Sequence, residues 1–112
     1  MVLVRNLTVS VVPEQVIISS AAVYEVKCTG TFISIPRVTW VTATGKEVPA
    51  LPGSVHQKLS PGSSTLIFEN ADISVGGEYE CRATSGTDFF ERRNATIVGK
   101  NFTYNENFQD LV

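Results

Sequence analysis

Two cysteines, one histidine and a pair of closely spaced glutamates are the residues of this chain with most to offer chemically. Cys28 and Cys81 are the whole thiol complement; they are either two buried thiols or one bridge, and their number does not decide. His56 sits beside Gln57 and Lys58 in a weakly patterned strand that reads as exposed, where a surface role outweighs a catalytic base or a ligand. A zinc site would need further histidines or spare thiols. Acyl transfer would need a histidine near a Ser or Cys nucleophile. Neither pattern is present. Glu78 and Glu80 straddle Tyr79 on an outward strand face, where paired carboxylates give solubility. The glycines fall at turns and build no loop for a phosphate. These residues point away from an enzyme, a cofactor and a metal.

The elements that would position them are strands. Helical periodicity is absent, and alternation broken by Gly, Pro and Ser clusters suits an all-β sandwich or barrel. Leu7 to Val12 reads as a first strand, interrupted by Pro13 and resumed from Gln15 to Ile18; proline cannot donate to a ladder, so the strand belongs at a sheet edge. Ala22, Tyr24, Val26 and Cys28 share an apolar face, as do Val38, Trp40 and Thr42. Gly45-Lys46 is a turn, Pro49 to Ser54 a loop, and Val55 to Leu59 a weak strand closed by Ser60-Pro61-Gly62. Leu66 and Phe68 then share a face ahead of a corner from Asn70 to Gly77. Tyr79, Cys81 and Ala83 alternate with Glu78, Glu80 and Arg82, the cleanest inside/outside pattern in the chain. Ser85-Gly86-Thr87 supplies a hairpin turn. A last strand from about Phe89 to Val98 turns Ala95 and Ile97 inward.

At 112 residues there is room for one core. A formal charge of −2, with Arg92-Arg93 the sole adjacent basic pair, gives no footprint for nucleic acid or an acidic membrane surface. No stretch approaches the roughly 18 apolar residues of a membrane span, and Met1-Val2-Leu3-Val4-Arg5 lacks the pattern of a signal peptide. The chain reads as a piece of something larger, touching a membrane only through parts of the parent protein outside this sequence. Residues 1–100 are expected to form the domain, and 101–112 a linker or C-terminal tail.

Cys28, Trp40 twelve positions later, Leu66 and Tyr79-Glu80-Cys81 together resemble the immunoglobulin superfamily from about residue 5 to 100. The short span between the cysteines is similar to the intermediate, or I-set, type. Ser64-Thr65-Leu66-Ile67-Phe68-Glu69-Asn70-Ala71-Asp72-Ile73, Gly77-Glu78-Tyr79-Glu80-Cys81 and the opening Leu7 to Pro13 resemble the first module of the neural cell adhesion molecule and fasciclin II group. The resemblance implies two antiparallel sheets joined by a Cys28–Cys81 disulfide under the Trp40 ring. It also implies a tyrosine corner, in which the Tyr79 hydroxyl bonds the backbone of the preceding turn. Such a bridge would stabilise the fold by about 4 kcal/mol in the chain-entropy model. The other reading, a cytosolic β-protein with two reduced thiols, stays open at this point.

Three Asn-x-Thr triplets begin at Asn6, Asn94 and Asn101, and each is a candidate glycosylation acceptor in a secreted protein. The family pattern also has departures here. Val75 stands where many members carry an Asp that pairs with an Arg at the corner. Glu25 and Glu69 stand where vertebrate neural adhesion modules present aromatics to a partner, which makes these two positions candidates for partner binding of a different chemistry.

Three functions follow as expectations. The first is an extracellular adhesion module at the cell surface whose partner is another protein, an immunoglobulin-superfamily domain of its own or a related kind. The second is a structural module of a giant intracellular muscle protein, built on the same sandwich. The third is a ligand-binding receptor domain using the loops Ile33 to Pro36 and Ser85 to Phe89. Alternation places one of Phe89 and Phe90 near the surface, where an exposed aromatic can anchor a partner.

Overall fold

The computed structural model describes residues 6–19 and 22–100. Their order is β1 (Thr8–Val12), β2 (Gln15–Ile18), β3 (Val23–Thr31), β4 (Arg37–Thr42), β5 (Val55–Ser60), β6 (Ser63–Glu69), a 3-10 turn (Ile73–Val75), β7 (Gly77–Ser85) and β8 (Phe89–Gly99). Two four-stranded sheets result, ordered β1-β3-β6-β5 and β2-β8-β7-β4. Every ladder is antiparallel except β2 on β8.

Alternation in the sequence becomes the two sides of each sheet. Val9, Val11, Val26, Cys28, Leu66 and Phe68 from the first sheet meet Ile18, Val38, Trp40, Tyr79, Cys81, Ala83, Ala95 and Ile97 from the second in one core. Burying these faces against each other is the main favourable term in the fold. The turns fall where their residues permit them: β5 returns into β6 over Pro61-Gly62, with Gly62 at φ 74°, a conformation that strains any L side chain. The long corner between β6 and β7 winds through the 3-10 turn, capped by Asp72, whose carboxylate accepts the Ser74 amide at 2.8 Å.

The structure departs from the sequence reading in three places. Gln15–Ile18 does not resume the first strand in its own sheet; after the Val12–Pro13 step the chain crosses the sandwich, so β1 edges one sheet and β2 the other. Ala22 lies exposed ahead of β3 rather than on its apolar face. Gln57, expected on an exposed strand, is completely buried. Alternation holds at Phe89 and Phe90, with Phe89 against Phe32 and Phe90 on the outer face beside Thr84; both are about half exposed, at 45% and 49%, because β8 runs exposed from Phe89 to Asn94 before it enters the core at Ala95. The expected tail, 101–112, and the triplet at Asn101 lie outside the described residues.

Candidate functional site

The centre of the sandwich is closed by covalent and polar ties between the sheets. Cys28 and Cys81 form a disulfide with their Cα atoms 6.5 Å apart, within the usual range for an undistorted bridge. Trp40 on β4 pairs in register with Cys81 on β7, and both are completely buried. Gln57 reaches from β5 across to β4. Its Oε1 accepts the Trp40 amide and the Ser64 hydroxyl, both at 2.8 Å, while its Nε2 donates to the Val48 carbonyl at 2.8 Å. The Trp40 indole N–H donates to the Ser64 carbonyl at 3.0 Å. Among the described residues no buried side-chain nitrogen or oxygen lacks a partner. A low-dielectric polar cluster is stabilising only when complete in this way.

Tyr79 closes the lower corner. Its hydroxyl donates to the Val75 carbonyl at 2.7 Å, and its ring meets Phe68 edge-on with centroids 5.4 Å apart. Burial pushes the hydroxyl's pKa up. The Asp72 carboxyl is held below the usual carboxylate range by the Ser74 hydroxyl and then by the Ser74 amide. The corner therefore uses a side-chain-to-backbone bond and a cap, with Val75 contributing its carbonyl.

The opposite end is built differently. The β3–β4 loop lifts Ile33 and Ile35 into solvent, 57% and 73% exposed. Its Phe32 ring meets Phe89 from the β7–β8 hairpin, with centroids 4.7 Å apart and planes tilted by 49°. The Ser34 and Ser85 hydroxyls lie 3.1 Å apart, joining the same two loops. Below the loop a shallow concavity of about 390 Å³ runs along Gly30 to Pro36 and the Pro61–Ser63 turn. Here the structure brings together two loops that sequence reasoning had named separately.

The remaining named positions are spread over the surface. Glu25 and Glu69 are exposed on the outer face of the first sheet, pairing in register with Ile67 and Val23 respectively. Asn94 is exposed on the outer face of the second, opposite Glu80. Glu80 itself, half-buried, lies between half-buried Arg82 and exposed Arg92, 3.8 Å from the Arg92 guanidinium, a surface arrangement of small energetic weight. Asn6 is exposed just ahead of β1. His56 is half-buried, with Nδ1 2.8 Å from the Gly53 carbonyl. Among the described residues no three acidic, histidine or cysteine side chains gather as a metal site. Sequence reasoning missed Gln57 and Ser64; neither is apolar, so neither contributes to the alternation that marks a core.

No protein-family model and no curated protein matches the sequence. Solved structures do share its shape. A chain of the titin M10–obscurin-like 1 immunoglobulin complex superposes with a TM-score of 0.69 at 20% identity, over 85% of this chain and 96% of that one. Titin domain M4 gives 0.69 at 14% identity, over 88% and 100%. The twitchin kinase region of C. elegans gives 0.62 at 16% identity, over 73% of this chain and 14% of that one. At such identities the likeness establishes the fold, an immunoglobulin-type sandwich of two sheets, which this chain joins with its own Cys28–Cys81 disulfide.

Proposed function

We propose that this immunoglobulin-fold chain is an extracellular recognition module of cell adhesion, and that its partner is another immunoglobulin domain, a second copy or a relative. The Cys28–Cys81 bridge carries the reading. Disulfides of this structural kind persist in oxidising compartments and are rare in the cytosol, so a chain that depends on one belongs outside the cell, among surface proteins. The loop end supplies the contact. Ile33 and Ile35 are large apolar side chains held in water, and the Phe32–Phe89 pair and the Ser34–Ser85 contact hold the two loops together beneath them. Preorganised apolar groups at a rim of hydroxyls are what a protein interface uses. An immunoglobulin partner is in keeping with one of the similar structures, which is itself a complex of titin M10 with an obscurin-like 1 immunoglobulin domain.

The test is association. Sedimentation of the chain and aggregation of beads carrying it should both detect self-association, and Ile33→Ser with Ile35→Ser should abolish it without unfolding the domain. A chain that stays monomeric, leaves beads dispersed and captures no related immunoglobulin domain contradicts the proposal.

A second reading has its own support: the similar solved structures named above are titin and twitchin regions, which fits a structural module inside a muscle protein. Thiol titration of natively purified, denatured protein separates the two. Two reactive thiols favour the muscle reading; none favours the extracellular one.

A further inference from the structure

Phe89 and Phe90 are only partly accounted for by loop packing. Phe89 touches Phe32 on one side, yet it stays 45% exposed and Phe90 49% exposed. Beside them stands Asn6. Asn6, Leu7, Asp88, Phe89, Phe90 and Glu91 line one concavity of about 260 Å³, smaller than the roughly 300–1,000 Å³ that a drug-sized ligand fills. Asn6 opens the triplet Asn6-Leu7-Thr8. Leu7 points into the core at 7% exposed, while Asn6 and Thr8 on either side are exposed. The amide acceptor and the hydroxyl two residues on are therefore both reachable from solvent, as N-glycosylation requires.

We propose that Asn6 carries an N-linked glycan whose first sugar seats on Phe89, since Phe90, the next residue of β8, turns to the opposite face beside Thr84. The inference rests on the extracellular reading above, since only a secretory protein meets the transferase. In the reaction the Asn6 side-chain nitrogen loses one proton and bonds to C1 of the first sugar of a lipid-diphosphate-linked oligosaccharide. The C1–O bond breaks, and the lipid diphosphate leaves with the electron pair; the proton passes to a base of the transferase. A pyranose ring presents a face of C–H bonds that packs on an aromatic face, while its hydroxyls stay in water. Asp88 and Glu91 at the rim offer carboxylate oxygens that accept hydrogen bonds from those hydroxyls and from the N-acetyl N–H. Asn94, the other described acceptor, pairs in register with Glu80, and the aromatic that lines its concavity, Tyr79, is buried at 8% exposure. The sugar also sharpens the contact surface. It covers the Phe89 flank of the loop end and leaves Ile33 and Ile35 open.

Secretion of the full chain from a eukaryotic cell tests this by glycopeptide mass spectrometry and proton NMR. Asn6 should be occupied, Thr8→Ala should remove the glycan and Thr8→Ser should keep it. The N-acetyl methyl signal of the innermost sugar should lie upfield through the ring current of Phe89. It should return to its free position in Phe89→Ser and stay shifted in Phe90→Ser, both substitutions lying outside the core. A secreted, disulfide-bonded chain with Asn6 bare overturns the inference and leaves the extracellular reading standing. So does an occupied Asn6 whose methyl signal ignores Phe89→Ser. A chain that is retained with free thiols removes both at once.

Discussion

At the level of Trp40 every buried polar side-chain atom has a partner and the apolar side chains are sealed, whereas at the far ends of the strands Ile33, Ile35, Phe89 and Phe90 stand half in water. The same chain follows two rules within one small domain. In the middle, the disulfide and the Gln57 bonds tie sheet to sheet, and little there can change without unfolding. At the loop end, apolar groups are held in place by a few contacts and then left uncovered. Stability and recognition thus draw on different residues, and substitutions in the two regions should separate cleanly into folding effects and binding effects.

The sharpest way to break this contrast is to cut the bridge. Cys28→Ala with Cys81→Ala should lower unfolding free energy by about 4 kcal/mol, read as a fall in denaturant midpoint. Removing the polar tie comes next. Gln57→Ala leaves the Trp40 amide and Val48 carbonyl without this partner and opens a cavity, and should cost about 3 kcal/mol in the same measurement. A near-neutral result would mean that water or a neighbour replaces the amide, and the middle would be less tightly specified than its geometry implies. Tyr79→Phe removes one hydrogen bond and should cost about 1 kcal/mol. Because burial raises the Tyr79 pKa above its ordinary value of 10.0, the folded state keeps that proton longer than the unfolded chain does. Its contribution is complete below pH 10 and fades as the pH climbs through the folded value. A midpoint series at alkaline pH should show an extra loss in the wild-type chain that Tyr79→Phe lacks. Smallest in stability are Ile33→Ser and Ile35→Ser. Each should stay within about 0.5 kcal/mol of wild type, while self-association or partner capture is lost. A large unfolding effect there would erase the division between the regions.

How much of this was readable beforehand follows from the same physics. Cys28, Trp40, Tyr79 and Cys81 announce themselves because period-2 alternation and a rare residue type coincide on each of their strands. Gln57 carries no such mark. Its place is dictated by donors and acceptors on β4 that need partners, and that is a property of two sheets already assembled. Pro13 signals a break in the first strand but is silent about the destination, since either sheet edge accepts β2. Alternation along β8 assigns sides correctly at Ala95 and Ile97, and at Phe89 and Phe90 it sets the sides without setting burial, because burial also needs neighbouring chain to cover the strand. β2 pairs with β8 only from Thr96 onward, so the upper part of the strand projects past that cover. Strand lengths on neighbouring chains decide this, and one strand's sequence does not contain them. For the candidate site, the two loops were visible as separate stretches, while their union through Phe32 and Phe89 emerged only in three dimensions.

The Gln57 arrangement has a further consequence for solubility. β4 forms the margin of its sheet, and a bare margin invites another chain to add on by strand pairing. Here the outward-directed amide of Trp40 is engaged by Gln57, its carbonyl accepts from Val48 at 3.0 Å, and the Thr42 amide donates to the Lys46 carbonyl at 2.8 Å. A foreign strand would first have to displace bonds that the fold itself requires. The β4 margin of this domain is thereby blunted against addition of a strand from a second copy.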